Sequence, residues 1–180
     1  AAPMGFRRNP LAQYNEVMAY KQQKLVALIH SAGHPFVLAA TGGGSGAVAA
    51  LLQAPGASAS VLEVLVPYAR AALEEFISGE VDQSCSDVAA RAMAMVAWQR
   101  ACKLHPGDAT TVRGIGATCS LATNRPKRGT HRVHVAWQSA TTTVVVSREL
   151  TKGQRDRAAE EQVASAMILA AIAAACEATE

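Results

Sequence analysis

The stretch that decides the fold is PFVLAATGGGSGAVAALLQ, residues 35–53. It begins with a short continuous apolar run, continues through a glycine-rich turn and ends in a segment of Ala, Val and Leu. An apolar run bounded by turn residues is typical of a buried strand, and the segment after the turn predicts a helix over 47–53. We therefore expect a strand, a glycine turn and a helix in that order.

Hydrophobic periodicity outside this stretch predicts further elements on both sides. Helices are predicted over 11–29, 69–77, 86–104 and 153–178, and strands over 61–68, 110–119, 132–138 and 142–150. On the last helix, Arg155, Arg157, Glu160 and Glu161 are predicted to face water. This order predicts an α/β fold, a three-layer α/β/α sandwich with a mixed β-sheet. We expect it to form one domain over 11–180 after a flexible tail over 1–10.

Composition excludes several classes of protein. Of the 180 residues, 50% are hydrophobic and 17% are charged, which predicts a folded chain rather than a disordered one. The net charge of +3 is too small to predict nucleic-acid binding. The most apolar window, 163–176, is shorter than the roughly 20 residues that cross a bilayer, so we expect a soluble protein with no membrane span.

The cysteines and the N-terminus bear on compartment. Four cysteines lie far apart without metal-type spacing, which predicts free thiols in a reducing intracellular compartment and no metal site. The first nine residues, AAPMGFRRN, contain two Arg and no acid. That pattern fits either a frayed tail or the remnant of a cleaved transit peptide, so cytoplasm and organelle (mitochondrion or plastid) both stay open.

Ligands in such sheets bind beyond the carboxyl ends of the strands, where two glycine-rich turns are predicted, at 42–46 and 114–116. The first turn places backbone N–H groups at a helix start, where phosphate or carboxylate is favoured. It lacks the Lys of a P-loop, while residues 44–49 match GxGxxA with Glu63 as the acid that a dinucleotide site needs. An anion-binding turn, a dinucleotide site and a purely structural turn remain open. The residues concerned are Gly42, Gly43, Gly44, Ser45 and Gly46.

A second candidate is NRPKRGTHR, residues 124–132, between two predicted strands. Arg125, Lys127 and Arg128 in this loop would clamp a phosphate or contact RNA, or else form a solvated loop that prevents edge pairing. His131 and His134 point to opposite faces of a strand and cannot chelate one metal together. Hydroxyl groups lie near the two turns, but spacing alone reveals no base beside them.

The segment TGGGSGAVAALLQAPGASASVLEVLVPY, residues 41–68, resembles the C-terminal domain of the CinA (competence-damage-inducible protein A) family. The family pattern runs ESCTGG, a helix, PGAS, a strand and VxYSNxxK. The later GIGATCSLATNRPKRG and HRVHVAW are similar to the TGIAGP loop and GTVYIA strand of that family. The resemblance spans residues 24–176, is most specific at PGAS with Tyr68, and suggests a divergent CinA-like branch related to nicotinamide mononucleotide deamidase.

The resemblance implies a three-layer domain whose active members hydrolyse the amide of nicotinamide mononucleotide to the acid and ammonia, without metal or other cofactor. Thr41 falls at the catalytic serine of the family, and Tyr68 matches its tyrosine. Leu73 falls at the family lysine and Ala40 at the family glutamate. Arg113 replaces the threonine of TGIAGP.

Two hypotheses follow from the resemblance. In the first, the chain binds a pyridine-type mononucleotide and has weak amidohydrolase activity, with Thr41 and Tyr68 catalytic. The substrate would be held by residues 42–46 and by Arg113, Arg125, Lys127 and Arg128. In the second, it is a catalytically inactive module that acts as a binding or assembly subunit of a larger, for instance organellar, complex, with protein partners or as a homo-oligomer. The losses at the family lysine and glutamate positions argue for reduced or absent activity.

Overall fold

The computed structural model describes residues 10–125 and 127–178, with side chains of the first helix described from residue 16 onward. Residues 1–9 of the predicted tail lie outside the described residues. The helices are α1 (Pro10–Ser31), α2 (Ser45–Gln53), α3 (Ala57–Ser60), α4 (Arg70–Ile77), α5 (Asp87–Leu104) and α6 (Arg157–Ala175). The strands are β1 (Phe36–Thr41), β2 (Val61–Leu65), β3 (Arg113–Ser120), β4 (His131–Gln138) and β5 (Thr143–Leu150).

The strands form one mixed sheet in the order β2-β1-β3-β4-β5. β1 is parallel to β2 and to β3, whereas β4 is antiparallel to both β3 and β5. The predicted helix–strand alternation at the N-terminal end accounts for the parallel part, because parallel neighbours need a crossover connection. The three consecutive strands near the C-terminal end account for the antiparallel part.

Helices cover both faces of the sheet. Phe36 and Leu38 of β1 point to one face and pack in the same core as Ile168 and other residues of α6, α2 and α1. The alternate residue Val37 points to the other face and packs against α5. Alternation along a strand buried on both faces explains why β1 is a continuous apolar run. The predicted three-layer α/β/α sandwich with a mixed sheet is therefore confirmed.

The predicted glycine turn at 114–116 is instead the middle of β3. A Cβ on Gly114 would lie 2.1 Å from the backbone nitrogen of Trp98, and one on Gly116 would lie 2.3 Å from the carbonyl oxygen of Ala90. Both glycines therefore let the α5 backbone approach the strand closely. The turn prediction is wrong, because the glycines serve helix-on-sheet packing rather than chain reversal.

The last helix begins later than predicted and is a core helix. Asp156 caps it by accepting a 2.8 Å hydrogen bond from the Ala159 N–H. By length and composition α6 is the one helix of the described residues apolar enough to cross a membrane, yet half of its most apolar window is buried inside the fold. Glu160, predicted to face water, is 0% exposed. The helix is therefore flanked by protein on more sides than its periodicity indicates.

Candidate functional site

The candidate site lies at the carboxyl-terminal edge of β1 and β3. Thr41 ends β1 and is paired in register with Thr118, close to the end of β3 at Ser120. Parallel strands end at the same edge of a sheet, so the glycine turn (residues 42–46) and the β3–β4 loop (residues 121–130) leave it side by side. The structure thus brings together the two segments that the sequence marked as candidates.

The glycine turn is packed tightly against the rest of the protein. Gly42 and Gly44 have φ values of +78° and +89°, in the left-handed region that favours glycine. A Cβ on Gly42 would lie 1.9 Å from the carbonyl oxygen of Cys119, and one on Gly44 would lie 2.1 Å from Cδ1 of Ile168. The absence of side chains here therefore has a structural reason, whatever else the turn does.

A carboxylate of α6 covers the start of α2. Oε1 of Glu161 accepts a 3.0 Å hydrogen bond from the Ser45 hydroxyl, and its Oε2 lies 3.0 Å from where a Cβ on Gly43 would be. Arg157 donates to the Gly42 carbonyl at 3.2 Å and lies 3.7 Å from the same carboxylate. The partial positive charge at a helix start stabilises a carboxylate in the same way as it would stabilise a bound anion. An anionic ligand at this side of the turn would therefore compete with Glu161.

The dinucleotide interpretation needs a free acid at Glu63. Glu63 lies in the middle of β2 and accepts hydrogen bonds from Arg100 of α5, one of them 2.6 Å from Nη2 to Oε1. The hydrogen bonds and charge of Arg100 lower the pKa of Glu63. The acid is thus committed to an ion pair with α5, and the GxGxxA match at 44–49 lacks its expected partner.

Thr41, at the catalytic serine position of the resemblance, is 7% exposed. Within the described residues, no side chain forms a hydrogen bond with its hydroxyl. Leu73, at the position of the family lysine, is 1% exposed in an apolar cluster with Ala39, Val81 and Met93. A hydroxyl nucleophile needs a base within hydrogen-bond reach. At the position of the family lysine, the chain instead has an apolar side chain packed in the core.

Tyr68 lies at the same edge but in contact with solvent. It follows β2, whose last residue Leu65 is paired with Ala39 of β1, and 65% of its surface is exposed. The tyrosine therefore lies near the edge of the sheet at which Thr41 ends β1. The role that the resemblance implies for Tyr68 stays a prediction.

The β3–β4 loop is anchored to α6 by a buried carboxylate. Glu160 accepts a 2.6 Å hydrogen bond from the Ala122 N–H and pairs with Nδ1 of His131 at 2.8 Å. Lys127 donates to the carbonyl of Leu121 at 2.7 Å, so this predicted phosphate ligand closes its own loop. These contacts hold both ends of the loop against the fold.

Two cations of the β3–β4 loop remain on its surface. The side chains of Arg125 and Arg128 are exposed, while Pro126 between them lies outside the described residues. Lys152 adds a third positive charge, because its Nζ donates to the carbonyls of Lys127 and Arg128 at 2.7 and 3.2 Å. The loop therefore presents positive charge at the candidate edge, as an anion-binding loop would.

Arg113, predicted to bind the same substrate, lies at the opposite edge of the sheet. It begins β3 and is paired with Phe36, the first residue of β1, whereas Thr41 ends that strand. At about 3.3 Å per residue, roughly 16 Å of strand separates the two edges. Its Nε donates to the Ala175 carbonyl at 2.6 Å. The prediction is corrected, because the length of β1 prevents Arg113 from joining the glycine turn.

Two of the four cysteine thiols are buried in the core. All four (Cys85, Cys102, Cys119 and Cys176) are free. Burial raises the pKa of the Cys119 and Cys176 thiols to about 12, so both remain protonated in the core. Over residues 10–125 and 127–178, no three His, Cys, Asp or Glu side chains group as metal ligands would.

Sequence reasoning missed the part played by the first turn of α6. Periodicity placed Glu160 and Glu161 opposite the apolar stripe, and therefore in water. In the structure the first is fully buried and the second is partly buried over the glycine turn. The hydrogen-bond partners of Glu160 lie 29 and 38 positions earlier in the chain. No pattern within the helix itself indicates such distant partners.

Comparison with known proteins identifies the fold. No family model and no curated protein matches the chain. A CinA superfamily protein from Klebsiella pneumoniae has a TM-score of 0.64 at 19% identity, covering 88% of this chain and 96% of its own. A competence/damage-inducible protein from Agrobacterium tumefaciens has 0.60 at 18%, covering 89% and 92%. A CinA superfamily protein from Escherichia coli has 0.60 at 16%, covering 96% and 98%.

These structures match the present chain over most of its length and of theirs. At such low identity the similarity concerns the fold. It confirms the family resemblance at the level of the fold. The chain therefore has the divergent α/β fold of the competence-damaged protein (CinA) superfamily.

Proposed function

We propose that this chain is a catalytically inactive CinA-like domain that acts as a binding or assembly subunit of a larger complex. The observation that carries the proposal is the apolar burial of Leu73 at the position of the family lysine. Among the described residues, no side chain acts as a base on the Thr41 hydroxyl through a hydrogen bond, and a neutral hydroxyl is a weak nucleophile. β-Branching further restricts the rotamers of Thr41.

The proposal predicts no turnover of a nucleotide amide. Purified protein incubated with nicotinamide mononucleotide should release ammonia no faster than its Thr41→Ala variant. The same comparison with Tyr68→Phe tests the second residue that the resemblance implies. Ammonia release that depends on Thr41 would support the alternative, a weak amidohydrolase, and would overturn the inactive assignment.

Binding of a pyridine-type mononucleotide without hydrolysis is the second candidate function. The exposed Arg125 and Arg128 favour it, because two guanidinium groups beside the sheet edge suit a phosphate. Calorimetry with nicotinamide mononucleotide should then show weaker binding for the double Arg125→Ala, Arg128→Ala variant. The matched control is Lys103→Ala, which removes an exposed cation near the end of α5. Equal affinities in all three proteins would count against a phosphate at this loop.

An assembly role is supported by the first part of α1. Residues 16–24 are exposed along this helix, and Val17, Met18 and Tyr20 expose 46%, 47% and 67% of their surface. A helix gains most of its stability in proteins from packing of an apolar face, and within the described residues Val17, Met18 and Tyr20 stay largely exposed. Sedimentation should therefore show self-association that Met18→Glu abolishes. A monomer at all concentrations would contradict a homo-oligomer formed through α1.

A further inference from the structure

A cavity lies at the opposite edge of the sheet from the glycine turn. Its volume is about 360 Å³, at the small end of the range for ligand sites. It is lined by the start of β3, the β4–β5 turn and the end of α6, with Arg113, Trp137 and Glu177 among the lining residues. Neither proposed function uses this cavity.

The cation in this cavity is buried and only partly compensated. The Arg113 side chain is 7% exposed. Its Nε donates to Ala175 O at 2.6 Å, and its Nη1 donates to the carbonyls of Thr110 at 2.6 Å and Val112 at 3.0 Å. Among the described residues, the one group that faces Nη2 as an ionic partner is Glu177, whose Oε1 lies at 3.8 Å, beyond hydrogen-bond distance. A guanidinium is always protonated, and a buried charge is costly unless it is paired, so the two N–H groups of Nη2 favour an anion.

Glu177, the carboxylate that the described residues place beside Arg113, is poorly held. Glu177 is 78% exposed, and its φ of +53° is uncommon for a residue other than glycine. An entering anion would therefore displace a solvated side chain rather than a packed one. The negative charge of Glu177 also disfavours a dianion, since Arg113 is the one cation among the described residues that line the cavity and would have to balance both.

The other walls fit the remainder of a small organic molecule. Trp137, at the end of β4, supplies a large apolar ring. Ser139 and Thr142 in the β4–β5 turn also line the cavity. A planar apolar body with one negative group would match this combination of ring, rim and guanidinium.

We propose that this cavity is a binding site for a small monocarboxylate with a planar or apolar body. The carboxylate accepts hydrogen bonds from Nη2 of Arg113, and the body packs against Trp137. This site is independent of the glycine turn and of any activity there. It gives Arg113 a ligand-binding role at an edge that the sequence did not indicate.

Benzoate is the probe, and benzamide is its uncharged counterpart. Titration of the full chain with benzoate should shift the indole N–H signal of Trp137 saturably, as measured by nuclear magnetic resonance. Trp98 lies on α5 at the other face of the sheet and serves as the internal reference. Benzamide should bind at least tenfold more weakly. Equal binding of the two probes, equal shifts of the two indoles, or tighter binding of inorganic phosphate than of benzoate would overturn the proposal.

Two variants keep the test independent of the structural contacts of Arg113. Ala174→Phe adds a ring from an exposed, cavity-lining position on α6 and should abolish the benzoate shift, whereas Ala166→Phe, exposed on the same helix outside the cavity, should not. Glu177→Gln removes the competing carboxylate and should tighten benzoate binding at least twofold. Binding that is unchanged in Ala174→Phe, or unchanged or weakened in Glu177→Gln, would contradict the site.

Discussion

Replacing Glu160 by Ala tests whether the buried carboxylate of α6 holds the β3–β4 loop. Glu160 is fully buried and accepts hydrogen bonds from the Ala122 N–H at 2.6 Å and from Nδ1 of His131 at 2.8 Å. Its removal leaves the partly buried N–H of Ala122 and the buried Nδ1 of His131 without this acceptor. Because those donors begin and end the loop, the variant should loosen the positions from which Arg125 and Arg128 project.

The size of the effect follows from these two contacts. A donor left without an acceptor inside the fold costs about 1–3 kcal/mol. Glu160→Ala leaves two such donors, so we expect it to lower the free energy of unfolding by about 2–6 kcal/mol, out of the roughly 5–15 kcal/mol typical of a domain. Glu160→Gln keeps a carbonyl oxygen for one donor, so we expect a loss of about 1–3 kcal/mol.

Urea unfolding followed by circular dichroism measures both variants, provided that the denaturant dependence stays the same. The matched control is Glu75→Ala, an exposed acid on α4, which should change stability by less than about 0.5 kcal/mol. Hydrogen exchange of the Ala122 amide should also become faster in Glu160→Ala. If Glu160→Ala and Glu75→Ala unfold at the same urea concentration, the anchoring role is refuted.

Three further predictions concern packing, thiol reactivity and pH. Gly116→Ala should lower the melting temperature strongly, because its Cβ would lie 2.3 Å from a carbonyl oxygen of α5. Gly129→Ala is the control, since a Cβ there would meet nothing within 4 Å. Equal melting temperatures of the two variants would contradict the close approach of α5 to β3. Alkylation at pH 8, followed by mass spectrometry, should modify Cys102 well before Cys119, because burial raises the pKa of Cys119 to about 12. Equal alkylation rates of the two thiols would be inconsistent with that burial. Burial, and then the charge of Arg132, lower the pKa of His134 from 6.5. On acidification the unfolded chain therefore binds the His134 proton before the folded chain does, and the free energy of unfolding should fall as the pH drops below 6.5. Unfolding curves of His134→Gln should show a smaller fall, and an unchanged one would remove His134 as its cause.

The sequence predicted the layers of the fold but not every boundary or every site residue. A continuous apolar run predicted β1, and apolar residues at helical spacing predicted α5, because both patterns follow from backbone geometry within a few residues. The family resemblance pointed to Thr41 and Tyr68, which the structure places near the same edge of the sheet, and their roles stay predictions. It could not place Arg113, because the motif that it was matched to became the interior of a strand.

What the sequence by itself determined is local: the period of each apolar run, the glycine-rich turn after β1, and the presence of Leu73 at the position of the family lysine. Only the tertiary structure decided that Glu160 is buried, that Glu161 covers the glycine turn and that Arg113 lines a separate cavity. The physical reason is that a polar side chain is buried only where distant groups satisfy it. Those partners are brought together by sheet register and helix packing, which no short stretch of sequence contains.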